Sequence, residues 1–128
     1  MKKILCNVEK VKTSYQDRKI LILDCFVEME DGGFLSVFNT VLDSYNEELK
    51  NREGSQYGCE LIRQLLDFFG VDDLSEIKNY KCWLLTNKAM VWSSSDVLGF
   101  EQLSCSEFKN NQKKLLKSDL ERYIPRKD

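Results

Sequence analysis

The chain has 128 residues, enough for one domain that buries a core without covalent staples. At 42% hydrophobic and 31% charged it has the composition of an ordinary globular protein. Its formal net charge of −2 excludes both a broadly basic nucleic-acid binder and a strongly acidic mimic of DNA, and no apolar run of about 18 residues offers a membrane-spanning helix.

There is no histidine. That removes Ser-His and Cys-His nucleophile pairs, His-ligated zinc and the commonest general base, so the chain is not expected to be an enzyme. Carboxylate, lysine and tyrosine chemistry stays open. Cys6, Cys25, Cys59, Cys82 and Cys105 are scattered, odd in number and without a C-x-x-C pair, which argues against a zinc ribbon and a secreted disulfide framework. Each lies in or beside an apolar pattern, so buried free thiols in a reducing cytoplasm are expected. Lys2 and Lys3 precede only a short alternating stretch, unlike a signal peptide. No metal and no cofactor is expected.

Residues 1–42 read as a first β-meander. Ile4, Cys6 and Val8 alternate with polar neighbours, and Val11, Thr13 and Tyr15 continue on the opposite parity, which calls for a bulge near Glu9 and Lys10. After a polar turn at 15–19, residues 20–30 form the strongest strand. Leu21, Leu23, Cys25, Val27 and Met29 make one face, and Ile20, Ile22 and Phe26 keep the other partly apolar, as in an interior strand. Asp24 is read as a surface carboxylate. Glu30, Asp31, Gly32 and Gly33 make a hairpin turn into a third strand over 34–42. Residues 43–54 are a polar crossover with a helical turn, in which Tyr45, Lys50 and Arg52 are candidates to hold an anion.

Residues 55–79 are helical. Tyr57, Leu61, Leu65 and Phe68 recur at helical spacing, and Ile62, Leu66 and Phe69 widen the stripe. Ser55 caps the start over 56–69, Gly70 stops it, and Val71 follows where the cap wants an apolar contact. Asp73 and Glu76 have capping-box spacing for a short helix at 74–78. Gly58 inside the helix, at a cost of about 1 kcal/mol relative to alanine, points to close approach by a neighbouring backbone. Phosphate binding at this helix start is the sharper reading, and no glycine-rich run precedes the serine to support it.

Residues 80–103 read as a second β-meander, with strands at 80–86, 89–93 and 97–103. Trp92, set among serines, is either core or a partly exposed ring able to stack on a base. Residues 104–124 read as a basic C-terminal helix, from the capping-box pairs Ser104 with Glu107 and Ser118 with Glu121 and the stripe Phe108, Leu115, Leu116, Leu120 and Tyr123; Pro125 ends it. From Cys105 on there are seven basic against four acidic side chains, a net +3, which leaves −5 for the rest. The tail can therefore dock on its own acidic body, on another subunit or on a polyanion. The fold class expected is a single α+β domain over 1–128: two antiparallel β-meanders, in one sheet or two, packed on a central amphipathic helix, with a C-terminal helix.

The stretch Tyr57-Gly58-Cys59-Glu60-Leu61-Ile62-Arg63-Gln64-Leu65-Leu66-Asp67-Phe68-Phe69-Gly70-Val71, followed by Asp73-Leu74-Ser75-Glu76-Ile77-Lys78-Asn79-Tyr80, resembles small phage and prophage accessory proteins. In these a helix ending in Phe-Gly-Val leads into a helical turn, a strand and a hairpin, for which Gly99-Phe100-Glu101 is the counterpart here. The shared motifs are structural, and no functional residue carries over. The resemblance implies a phage or mobile-element protein in the host cytoplasm, binding rather than catalysing, and acting against host defence. The first expected mechanism is an oligomer that sequesters a cyclic nucleotide or similar anion with Lys50, Arg52, Trp92, Lys113, Lys117 and Arg122. The alternatives are contact with a host effector such as a CRISPR nuclease complex, and nucleic-acid binding by the basic C-terminal segment.

Overall fold

An alternating strand that carries one bulge sits in the middle of the sheet. The structure is a computed structural model that describes residues 1–16, 20–103 and 113–124. Strand β1 (Lys2–Gln16) buries Cys6 and Val8 on one side, and its register to the next strand then slips between Val8 and Lys10. The inserted residue brings Val11 back to the buried side, as the change of parity in the sequence requires. Strand β2 (Ile20–Met29) buries Leu23, Cys25, Val27 and Met29 at every second position. A turn over 29–32 leads into β3 (Phe34–Val41).

The crossover contains sheet where a helical turn was expected. Strands β4 (Asp43–Asn46) and β5 (Asn51–Gly54) form a separate two-stranded hairpin. Asn46 closes its loop by accepting from the amides of Glu48 and Leu49.

Helix α1 (Gln56–Phe69) matches the expected segment in position and caps. The Ser55 hydroxyl accepts from the Gly58 amide, and Gly70 ends the helix in the left-handed conformation with its N–H on the Leu66 carbonyl. Leu61, Leu65, Phe68 and Phe69 are buried in one cluster with the strand residues above. Gly58 has the anticipated reason: a Cβ there would stand 2.3 Å from the Leu42 carbonyl oxygen. Asp73 and Glu76 form the expected capping box on a 3₁₀ turn, Leu74–Glu76.

Strands β6 (Tyr80–Thr86), β7 (Gly99–Glu101) and β8 (Lys114–Leu116) complete a six-stranded sheet in the order β3-β2-β1-β6-β7-β8, each neighbour antiparallel. The chain is thus mixed α+β and mainly antiparallel sheet, with β1 joining the two sets of strands. Among the described residues no helix is long and apolar enough to cross a membrane.

Two expected elements differ. Residues 89–93 are not a strand. The Asp96 carboxylate accepts from the amides of Trp92 (2.9 Å) and Ser93 (3.2 Å), while Thr86 Oγ1 accepts from the Lys88 amide and donates to the Asp96 carbonyl. Side chains thus take the amides that a strand ladder would need. The return strand shortens accordingly to β7. The basic C-terminal helix over 104–124 is also corrected where it can be seen. Residues 104–112, with Ser104, Cys105, Glu107 and Phe108, lie outside the described residues, as does Pro125. Residues 114–116 are strand, because β7 offers an open edge that pairs Leu116, Leu115 and Lys114 with Gly99, Phe100 and Glu101. Gly99 permits the approach, since a Cβ there would meet the Leu115 carbonyl oxygen at 1.9 Å. Among the described residues of this span only α2 (Lys117–Leu120) and a 3₁₀ turn, Glu121–Tyr123, are helical, and α2 has no side-chain cap.

Cys6, Cys25 and Cys82 are buried free thiols as expected, and Cys59 is a correction, exposed on the solvent side of α1. Cys6 and Cys82 face each other across β1 and β6 with sulfurs 3.8 Å apart. Burial pushes the Cys25 thiol far above its usual range, and the hydrogen bond with Cys6, followed by burial, does the same to Cys82. Held protonated, both are poor nucleophiles.

Candidate docking groove

At one end of the sheet, the hairpin leaving β2 and the loop leaving β6 face each other across a groove of about 510 Å³. One wall is Glu30, Asp31, Phe34 and Leu35, the other Met90, Val91 and Trp92, with Lys2 and Ile4 of β1 between them. Phe34 is 70% exposed, Met90 59% and Trp92 76%. Three large apolar side chains are therefore held out to water around one depression, beyond the scattered exposure of any protein surface.

The backbone behind them is well tied. Lys2 Nζ donates to the Ala89 carbonyl at 3.0 Å. Besides the Asp96 bonds, Ser94 Oγ accepts from the Phe38 amide at 3.1 Å, and Lys117 Nζ donates to the Ser94 carbonyl at 2.6 Å. Val91 packs against the core and pegs the loop between the two exposed side chains. The groove therefore presents exposed side chains on an anchored main chain, so little backbone ordering is left to oppose binding. Its mouth is acidic: Glu30 and Asp31 are exposed and, among the described residues, neither is in an ion pair.

The six side chains singled out in the sequence are spread over the molecule. Trp92 stands on the groove. Lys117 is close behind it, but its ammonium is turned to Ser94 and lies 5.4 Å from the centre of the Phe38 ring; burial there lowers its pKa. Lys50 is exposed at the tip of the β4–β5 hairpin, in the left-handed conformation. Arg52 lies in the same hairpin with its guanidinium 2.7 Å from Asp43 Oδ1. That hydrogen bond holds the Asp43 carboxyl below its usual range. Lys113 is exposed just before β8. Arg122 stacks on the Tyr123 ring at 4.8 Å and lines a second, polar depression of about 480 Å³ with Glu60, Arg63, Asp67 and Asp119. Lys50 and Arg52 share the β4–β5 hairpin, and Lys117 reaches the Trp92 loop through Ser94.

Phe34 and Met90 are the residues the sequence reading missed. Phe34 falls at the start of the third strand, and Met90 in an expected strand that does not form. The usable signal was the run Ala89, Met90, Val91, Trp92 closed by three serines and an aspartate, residue types that bond to local backbone and end a strand.

A separate charged cluster lies on the sheet face turned away from α1. Glu101 is 5% exposed and bridged by Lys3 and Lys114, and the hydrogen bond from Lys3 keeps its carboxyl below its usual range. Among the described residues no group of three or more Cys, Asp or Glu is placed to hold a metal ion. No family model, no curated protein and no solved structure matches the chain.

Proposed function

We propose that the chain is a binding protein that docks a protein partner on the groove between residues 29–35 and 89–92. The observation that carries this reading is the exposure of Phe34, Met90 and Trp92 around one groove on an anchored backbone. Large aromatic and methionine side chains at the centre of a contact supply most of its energy once a partner removes them from water. Glu30 and Asp31 at the mouth, in no ion pair among the described residues, favour a cationic rim on the partner and repel a phosphate. For the same reason protein contact is preferred to nucleotide sequestration: Lys2 in the groove is held by the Ala89 carbonyl, Lys117 is engaged by Ser94, and Arg52 by Asp43. With the resemblance to phage accessory proteins, the partner class is a host effector, met in the host cytoplasm and inhibited by occupation of its surface.

The test is affinity capture from host lysate with the wild-type chain and with Trp92→Ala and Met90→Ser. A partner held by the wild type and lost by both variants is the expected result. A partner held equally by all three sinks the groove. Calorimetric binding of a cyclic nucleotide that needs Lys50 or Arg52 would restore the sequestration reading.

A further inference from the structure

The groove runs beside an edge of the sheet, where the main chain itself is open. β3 is the last strand on its side. The Met29 amide donates to the Gly33 carbonyl at 2.7 Å, so the odd-numbered Leu35 and Val37, opposite Val27 and Cys25, turn their amides and carbonyls toward β2. The even-numbered Phe34, Ser36 and Phe38 turn theirs outward. Ser94 Oγ meets the Phe38 amide and closes that half of the edge. Beyond Phe34 and Ser36, among the described residues, there is no further strand. Over its whole length β3 carries neither a charge nor a proline, the usual guards of an open edge.

Building on the docking reading above, we propose that the partner enters as an extended segment added to β3 along Phe34 and Ser36. It runs antiparallel, as every neighbour in this sheet does. Alternate side chains of the added segment fall beside Leu35 into the groove under Met90 and Trp92, and these are apolar. Running opposite to β3, the segment next reaches the mouth, where Glu30 and Asp31 take a lysine or arginine that follows the apolar positions. The groove's own cation, Lys2, is held by the Ala89 carbonyl. A second copy of this chain fits less well. Its β3 has no cation to offer the two carboxylates, and an edge open only over residues 34–36 falls short of the roughly 1,000 Å² that a stable interface buries.

The probe is the acetylated, amidated peptide Thr-Ile-Thr-Val-Thr-Arg-Arg, titrated into the ¹⁵N-labelled full chain. Saturable shifts and slowed hydrogen exchange are expected at the Phe34 and Ser36 amides, and a matched peptide ending in Glu-Glu should bind at least about fivefold more weakly at low salt. Ser36→Pro, which removes an outward amide and leaves the β2 ladder intact, should weaken binding about tenfold or more. Ser36→Ala, which loses only the hydroxyl bonded to Asp24, should bind as wild type. Should the proline variant fail to fold, Phe34→Lys guards the same edge and should weaken binding likewise. No binding up to about 1 mM, or binding that leaves the two amides unchanged, overturns the proposal. So does a dimer, formed without peptide, that protects the same amides. A lysate partner that needs Trp92 but tolerates Ser36→Pro ends strand addition and leaves the docking reading standing.

Discussion

The two edges of the sheet are finished in opposite ways. At one end β8 is three residues long, starts with Lys114, buries Leu115 completely and is pinned through Glu101. At the other, β3 is eight uncharged residues, capped by Ser94 at Phe38 and open before it. Short length and charge are how proteins blunt an edge, so β8 is a guarded edge, whereas β3 is left open, as the proposed docking requires. Mutations at the closed edge should therefore cost folding, and mutations at the open one should cost binding.

The largest effect is expected from Leu115→Ala. It empties a fully buried site between β7 and α2 and should lower unfolding free energy by about 2–5 kcal/mol in urea titration. A loss below about 0.5 kcal/mol would mean that β8 is not part of the folded edge. Next is Ser94→Ala, which strips the acceptor from the Phe38 amide and a partner from Lys117. It should cost about 1–2 kcal/mol and speed hydrogen exchange at Phe38 while leaving Leu115 protected. Acid should open the closed edge first. The Glu101 carboxyl is held below its ordinary value of 4.5, so its contribution is complete above that pH and is lost as pH falls through the lowered value. Glu101→Gln should flatten the acid limb of the stability curve, and an unchanged limb would remove Glu101 from the account. The smallest effect on folding belongs to Trp92→Ala, within about 0.5 kcal/mol, because that side chain is mostly in water already. A large loss would place Trp92 in the core and remove it as an anchor.

What could be read from residues alone was whatever depends on neighbours in sequence. The alternation and change of parity in β1, the stripe and caps of α1, and the close approach at Gly58 all follow from local pattern. What could not be read depends on distant chain. Residues 114–116 carry a helical-looking stripe, yet they pair with an edge fifteen positions back, and tertiary pairing overrides propensity. In the groove, Trp92 was legible as an aromatic among serines, whereas Phe34 became visible only when the chain folded it opposite the 89–92 loop. Two of the candidate anion-holding cations are engaged within the chain. Arg52 has its partner Asp43 across a hairpin that the sequence did not announce, and Lys117 has its partner on the Ser94 loop.

β1 is shared by both halves of the sheet, and that has a consequence for synthesis. Its pairing with β2, and that of β2 with β3, is complete once the first 41 residues are out, but its other flank waits for β6, with Cys6 meeting Cys82 across 76 positions. During translation the nascent chain carries a second unpaired flank along residues 2–8 until that later strand emerges. Nascent chains with fewer than about 80 residues outside the ribosome should therefore aggregate more readily than chains from which β6 has emerged.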